Sequence, residues 1–233
     1  MTMRTIFLVS FAILLSFSLN AQQKQPDQAW EVITRLRMRA KKDAPAESKR
    51  QVTEYNKTNT VYTREFISKD LYNLFNKDWK KYGIIINRKD GLVYTYQENE
   101  GKAYKMTLED YSQNTKDHLH SKVIHLKTYP DETKDILGFR VQKATYDLVV
   151  EYGDAQRDTM STVCWFTTAL PNWFDQGGLS KLPGLPLEVI SENKGRGDGI
   201  VYTNKAVQIK TVALDSLKRK PPRKYKMVSY GKE

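Results

Sequence analysis

Short runs of alternating apolar and polar residues recur along this chain of 233 residues, and they constrain its fold more than any other feature. In EVITRLRMRA, Val32, Leu36 and Met38 fall on one face and three arginines fall on the other. Residues two apart share a face of a strand, so this run predicts a strand with one buried face. Similar runs, such as ATYDLVVEY, recur roughly every 10 to 15 residues with polar turns between them. The pattern predicts a mainly β (α+β) fold with a single, strongly curved antiparallel sheet and a few helices.

Two segments depart from this alternation. The polar stretch KKDAPAESKRQVTEYNKTNT contains Pro45 and predicts a long connection without regular structure. The stretch LYNLFNKDWKKYG predicts one short helix that ends at Gly83, because four apolar residues have helical spacing: Leu71, Leu74, Phe75 and Trp79.

The N-terminal residues MTMRTIFLVSFAILLSFSLNAQQKQ have the order of a secretory signal peptide. Arg4 precedes an apolar run from Ile6 to Leu19, and the small Ala21 is followed by glutamines. This run is shorter than the roughly 20 apolar residues of a membrane-spanning helix, although a retained N-terminal helix remains an alternative. We expect residues 1–21 to be a signal peptide cleaved near Ala21, and residues 22–233 to form a single exported domain, periplasmic or extracellular.

The cysteine count and the net charge narrow the possible chemistry. Cys164 is the single cysteine, so no intramolecular disulfide can form and a hydrophobic core must supply the stability. Its place in the apolar run TVCWF predicts a buried structural thiol. The formal charge of +11, or +10 without Arg4, favours anionic partners. For an exported protein these would be phospholipid head groups, acidic glycans or acidic proteins rather than nucleic acid.

The densest basic run is KRKPPRK, near the C-terminus. It could bind an anionic membrane surface, where each nearby charge contributes about 1 kcal/mol. The alternative is an ordinary solvated turn before the last strand. The candidates for contact with an anionic surface are Lys218, Arg219, Lys220, Arg223 and Lys224.

The segment from Cys164 to Ile190 combines strand-like runs with three prolines, two adjacent glycines and two tryptophans. Pro183 and Pro186 cannot donate backbone hydrogen bonds, so a strand here must begin at an edge or beside a bend. Two interpretations remain open, a structural corner packed under the tryptophans or the wall of a ligand cavity. The candidate ligand-lining residues are Leu185, Leu187, Val189, Trp165 and Trp173.

Residues typical of catalysis or metal binding do not form a recognisable set. The chain lacks the Gly-x-Ser-x-Gly and His-Glu-x-x-His motifs and a nucleotide-binding loop. His118 and His120 would share a face if they lay on a strand, but a zinc site needs three or four placed ligands. We therefore expect no catalytic residues, no metal and no cofactor, and a protein that is not an enzyme.

Several segments resemble one family, the GLPGLI-type exported proteins of Bacteroidetes. ILGFRVQKA, TVCWFTTALP and LDSLKRKPPRKYKMVSY are similar to segments of that family, in the same order. KLPGLPLEVI resembles the naming motif through Leu182, Pro183, Gly184 and Leu185, with Lys181 and Pro186 replacing its terminal glycine and isoleucine. The family is similar in pattern to periplasmic lipoprotein carriers.

This resemblance implies a half-barrel fold like that of the lipoprotein carriers, in which the curved sheet surrounds an apolar concavity covered by helices. It also implies an exported envelope protein that holds a lipid or lipidated ligand, possible partners being a lipid or a lipidated protein. The alternative is an envelope interaction or sensor protein that binds a polypeptide.

Overall fold

The structure is a computed structural model that describes residues 28–58, 62–76, 82–118, 120–152, 156–173, 182–195 and 197–230. The predicted signal peptide lies outside these residues. The strands are β1 (Ala29–Ala40), β2 (Tyr62–Ile67), β3 (Leu71–Asn76), β4 (Tyr82–Asn87), β5 (Leu92–Gln97), β6 (Lys102–Thr107), β7 (His120–Ile136), β8 (Phe139–Tyr152), β9 (Gln156–Thr167), β10 (Leu185–Asn193), β11 (Ile200–Val212) and β12 (Lys226–Ser229).

All twelve strands belong to one curved sheet with the order β12-β6-β5-β4-β3-β2-β1-β11-β10-β9-β8-β7. Neighbouring strands pair antiparallel, except that β12 pairs parallel with β6. The main hydrophobic cluster takes side chains from β1, β2, β3, β7, β8, β10 and β11 and from the loop after β9, so it draws on strands from across the sheet. The prediction of a mainly β fold with a single large, curved antiparallel sheet is confirmed.

Two helices accompany the sheet in the described ranges, α1 (Ala46–Thr58) and α2 (Leu108–His118). Neither of them is long and apolar enough to span a membrane. The long connection expected before β2 is wrong, because α1 occupies most of it. Pro45 directly precedes the helix, Glu47 lies in its first turn and Lys57 in its last, an arrangement that complements the helix dipole. The helix is difficult to recognise from the sequence because most of its residues are polar. Val52 is among the few apolar residues that it buries.

The helix expected from residue 71 is also wrong, because Leu71–Asn76 forms β3. Leu71 and Asn73 are buried on one face of the strand and Tyr72 is buried on the other. A strand that is buried on both faces loses the alternation of apolar and polar residues. The helical spacing of Leu74 and Phe75 was therefore coincidental, and residues 77–81 lie outside the described ranges.

Helix α2 begins with a reciprocal pair of hydrogen bonds. The Thr107 hydroxyl accepts from the Asp110 backbone N–H at 3.0 Å, and the Asp110 carboxylate accepts from the Thr107 N–H at 3.2 Å. This is the hydrogen-bonding pattern of a capping box. The helix ends at His118, whereas His120 begins β7. The two histidines are therefore not on one strand face, which corrects that part of the sequence analysis.

Candidate functional site

The glycine of the Leu-Pro-Gly-Leu motif permits a close approach between two backbone segments. A Cβ atom at Gly184 would lie 1.9 Å from the carbonyl oxygen of Thr167, at the end of β9. The next residue, Leu185, donates its N–H to the carbonyl oxygen of Leu170 at 3.3 Å. Within the motif, Leu182 is buried and Pro183 is exposed. The motif therefore fixes the corner at which the chain enters β10.

The aliphatic residues after this corner lie in packed core. Leu185 and Leu187 are each 1% exposed and belong to the main cluster, with Ile67 and Tyr72. The register between β10 and β9 shifts between Pro186 and Glu188. Beyond this shift, Val189 packs against a different cluster, which contains Cys164. The three aliphatic side chains thus contribute to two clusters, and a ligand-binding role for them stays a prediction.

Trp173 lies in the loop after β9 and contacts β3 and the turn that precedes it. Its indole N–H donates to the carbonyl oxygen of Ser68 at 2.8 Å. The ring is stacked on Tyr72 at a centroid distance of 5.7 Å, and the Arg88 guanidinium lies 3.8 Å from the ring centroid. A largely buried indole with a satisfied N–H and two ring partners is a structural anchor.

Trp165 lies beside an ion-paired cluster. The Lys134 ammonium is 4.2 Å from the Trp165 ring centroid and also pairs with the Glu188 carboxylate. Lys205 pairs with the same carboxylate at 2.9 Å. Although burial acts in the opposite direction, these two ammonium groups hold the pKa of Glu188 below its ordinary value. The Glu188 carboxylate near Trp165 is thus already paired within the protein.

The large pocket lies elsewhere, between the sheet and the chain that follows β11. It has a volume of about 940 Å³, and we call it the aromatic pocket. The residues that line it come from β1 to β5, from the turn after β5, from β11 and from the segment 213–225, which we call the C-terminal segment. They are Ile33, Tyr62, Arg64, Phe66, Phe75, Tyr82, Tyr96, Glu98, Val207, Gln208, Ser216, Lys218, Pro222, Lys224 and Tyr225.

Strand register assembles the aromatic wall of this pocket. Phe75 on β3 is opposite Gly83 on β4, and Gly83 is opposite Tyr96 on β5. A Cβ atom at Gly83 would lie 2.3 Å from the Tyr96 ring, so the glycine leaves room for this tyrosine. Tyr96 in turn contacts Tyr225 at a centroid distance of 4.9 Å, and Phe66 meets Phe75 edge-on at 6.1 Å. The result is a continuous aromatic surface shared by the sheet and the C-terminal segment.

The C-terminal segment is held on the sheet by the buried amide of Asn73. The Lys218 N–H donates to Asn73 Oδ1 at 2.6 Å, and Asn73 Nδ2 donates to the carbonyl oxygen of Lys218 at 2.9 Å. Leu217 is buried next to these bonds, in a cluster with Ala29 and Leu71. The segment is therefore anchored at two points, near its middle by these contacts and at its end by the buried ring of Tyr225.

The basic run lies in this anchored segment. Lys218 and Lys224 line the aromatic pocket, and Arg219 borders a smaller cavity of about 290 Å³. The Lys224 ammonium pairs with the Glu98 carboxylate at 2.9 Å. All five predicted basic residues, including Lys220 and Arg223, are exposed. Contact with an anionic surface stays a prediction, but the structure places part of this run beside the pocket.

The remaining reactive side chains are buried or already paired. Cys164 is buried, as predicted, and burial raises the pKa of its thiol to about 12. His125 contacts the Asp147 carboxylate at 3.2 Å. Within the described ranges, no group of three or more His, Cys, Asp or Glu side chains is placed to hold a metal ion.

Comparison with solved structures finds similar arrangements at very low sequence identity. An uncharacterized conserved protein from Thermus thermophilus aligns over 91% of this chain and 96% of its own, with 10% identity and a TM-score of 0.43. A LolA superfamily protein from Nitrosomonas europaea aligns over 82% and 89%, with 10% identity and a TM-score of 0.30. The lipoprotein LppX from Mycobacterium tuberculosis aligns over 76% and 84%, with 8% identity and a TM-score of 0.32.

No protein-family model matches the sequence, and neither does any curated protein. The structural neighbours include a LolA superfamily protein and a lipoprotein, as the resemblance to lipoprotein carriers led us to expect. Membership of the GLPGLI-type family stays a prediction. Since all three TM-scores are below 0.5, these similarities do not indicate a function for this chain. The feature that does is the aromatic pocket.

Proposed function

We propose that this chain is an exported envelope binding protein that holds a lipid or lipidated ligand in the aromatic pocket. The observation that carries the proposal is the pocket lining, in which nine of the fifteen residues are aliphatic, aromatic or proline. Pockets for small ligands usually have volumes of roughly 300 to 1,000 Å³ and mainly apolar walls with a few polar groups. A pocket of about 940 Å³ is large enough for a long apolar chain. The basic residues at its border suit a ligand that has a polar end.

The proposal is for binding rather than catalysis. Burial raises the pKa of the phenols of Tyr82 and Tyr96 above the ordinary value, so these hydroxyls stay neutral in the pocket. The thiol of Cys164 is buried in another part of the sheet and is protonated at neutral pH. The two tyrosines can contact a ligand in the pocket, but neither they nor the buried thiol is suited to act as a nucleophile or a base.

Binding of a polypeptide is the alternative, and the free edge of β7 is where a peptide strand could add to the sheet. That edge has features that oppose strand addition. The register with β8 shifts twice along β7, and Pro130 lies within the second irregular stretch. Lys122, Lys127 and Glu132 are exposed along the strand. Bulges, proline and charges are common protections of an edge strand, so we favour the pocket as the binding site.

The proposal can be tested by titrating the mature protein with the methyl ester of a fluorescent fatty acid, a ligand without charge. The wild type should bind the ester saturably. Val207→Asp should weaken binding at least about tenfold, because a carboxylate would face the apolar chain in the pocket. Val207 is 42% exposed, so the fold should tolerate this change.

Met227→Asp is the matched control. Met227 is also a large exposed apolar side chain, 48% exposed on β12, and it does not line the aromatic pocket. Its substitution should leave the affinity for the ester unchanged. The proposal fails if the wild type shows no saturable binding, or if both variants bind the ester as tightly as the wild type does.

A further inference from the structure

The charged side chains that line the aromatic pocket carry an excess of positive charge. Arg64, Lys218 and Lys224 are cationic and Glu98 is anionic, which leaves a formal excess of two positive charges. Two of the three cations have carboxylate partners. Lys224 pairs with Glu98 at 2.9 Å, and Arg64 pairs at 2.9 Å with the buried carboxylate of Glu31, which Lys210 also contacts at 2.6 Å.

Lys218 differs from these paired cations. In the part of the chain that the structure describes, no carboxylate lies within ion-pair distance of its ammonium group. Its ammonium lies 5.4 Å from the ring centroid of Phe75, in the aromatic wall of the pocket. A cation beside an aromatic face is stabilised weakly when it is exposed, so it keeps most of its capacity to bind an anion.

The backbone that bears this lysine is fixed. Both polar groups of Lys218's backbone are bound by the Asn73 amide, which is fully buried, and the preceding Leu217 is buried as well. A lysine on a mobile loop must have both its backbone and its side chain ordered when it binds a ligand, and each step costs entropy. Here the side chain alone remains to be ordered. The fold thus places one unmatched positive charge at a defined position beside an apolar wall.

We propose that the aromatic pocket selects amphiphiles with a single anionic head group, and that the Lys218 ammonium binds this head group. The inference rests on the proposed function, because the apolar part of the ligand must lie against Phe75 and its neighbours. A lysine ammonium is a compact charge that binds either a carboxylate or a phosphate oxygen. The shared requirement is therefore an anionic oxygen at one end of an apolar chain.

The test compares three ligands of equal chain length: a fluorescent fatty acid, its methyl ester and the corresponding alkyl phosphate. Wild-type protein should bind both anions about tenfold more tightly than the ester at low salt, and the difference should shrink as salt is added. Lys218→Gln should reduce affinity for the anions roughly fivefold to tenfold, and it should reduce affinity for the ester far less, because the ester has no anionic oxygen for the ammonium to bind. Lys220→Gln is the control, since Lys220 is equally basic and exposed but does not line the pocket.

Each outcome separates this inference from the function on which it rests. Equal affinity of the wild type for ester and anions would overturn head-group selection but would leave lipid binding intact. Equal weakening of ester and anions by Lys218→Gln would show that the lysine contributes packing on Phe75 rather than charge, and would also overturn the inference. If the wild type binds none of the three ligands, the proposed function itself is refuted. A preference for one anion over the other, lost in Lys218→Gln, supports the inference and identifies the head group as carboxylate or phosphate.

Discussion

Replacing Glu65 with glutamine should stabilise the protein, and the gain should increase as the pH rises. Glu65 lies in the middle of β2, paired with Val32 on β1 and Leu74 on β3, and it is buried. The Tyr72 hydroxyl donates a hydrogen bond to its carboxyl oxygen Oε2 at 3.2 Å. Burial raises the pKa of the Glu65 carboxyl from 4.5 to about 7, and the bond from Tyr72 only partly offsets this effect.

The direction of this pH dependence follows from comparing the ionisation of Glu65 in the folded and in the unfolded protein. Below about pH 4.5 the carboxyl is neutral in both the folded and the unfolded protein, so it contributes its full stability there. As the pH rises from about 4.5 to 7, the carboxyl ionises in the unfolded protein but stays largely protonated in the folded one, and stability is lost. A pKa difference of one corresponds to about 1.4 kcal/mol, so the rise to about 7 implies a loss on the order of 3 kcal/mol by about pH 8.

Urea unfolding followed by tryptophan fluorescence, at several pH values from about 4 to 8, measures this loss. Glutamine resembles the protonated carboxyl and cannot ionise, so the advantage of Glu65→Gln over the wild type should grow by about 3 kcal/mol across that range. Glu100→Gln changes the same chemical group at an exposed position and controls for the substitution itself. A stability difference between Glu65→Gln and the wild type that stays constant with pH, or that grows as the pH falls, would refute the reasoning.

Four further expectations concern other parts of the chain. Cys164 should resist alkylation at about pH 8 in the folded protein and react after denaturation, because burial raises its pKa to about 12; fast labelling of the native state would contradict this. Gly184→Ala should destabilise the protein by several kcal/mol, measured by urea unfolding, since the new Cβ would overlap the Thr167 carbonyl; unchanged stability would mean that this approach is not required. Leu187→Ala should cost about 2 to 5 kcal/mol in the same assay, whereas a cost below about 1 kcal/mol would indicate a ligand-facing rather than a packed residue. Intact mass of the exported protein should place the mature N-terminus within a residue or two of Gln22, and a full-length species would contradict the predicted cleavage.

The sheet could be predicted from the sequence wherever strands bury one face and expose the other. In β1 the arginines of EVITRLRMRA alternate with apolar residues, so a period of two is visible. The prediction failed at β3, which buries Leu71 on one face and Tyr72 on the other. It failed again at α1, where the helix is almost entirely polar and buries little. The periodic pattern was weak for two different reasons, since β3 is buried on both faces whereas α1 buries very few side chains.

The motif Leu182, Pro183, Gly184 and Leu185 was identified from sequence as either a corner or a cavity wall. The structure places it at a corner, where Gly184 meets the backbone of Thr167 and Leu185 is packed in the main cluster, and a ligand-lining role stays a prediction. Local sequence revealed the bend through its prolines and glycine. Local sequence did not reveal which residues would pack against the bend. That packing depends on the loop that contains Trp173, and Trp173 stacks on Tyr72 of the distant strand β3.

The aromatic pocket shows why the best candidate site escaped the sequence analysis. Its strands display a readable alternation, with Tyr62, Arg64 and Phe66 on one side of β2. That alternation predicts that one face of the sheet is apolar, but it does not predict which segment of the chain covers that face. The cover comes from a polar, proline-containing segment held by a hydrogen-bonded pair, Asn73 and Lys218, that is 145 residues apart in sequence. The two hydrogen bonds between the Asn73 amide and the Lys218 backbone hold the segment over the pocket and also position Lys218. The basic run that resembled a solvated turn is therefore part of the candidate binding site. Its charge pattern was visible in the sequence, but its location depends on contacts with distant parts of the chain, made by the Asn73 amide and by the buried Leu217 and Tyr225.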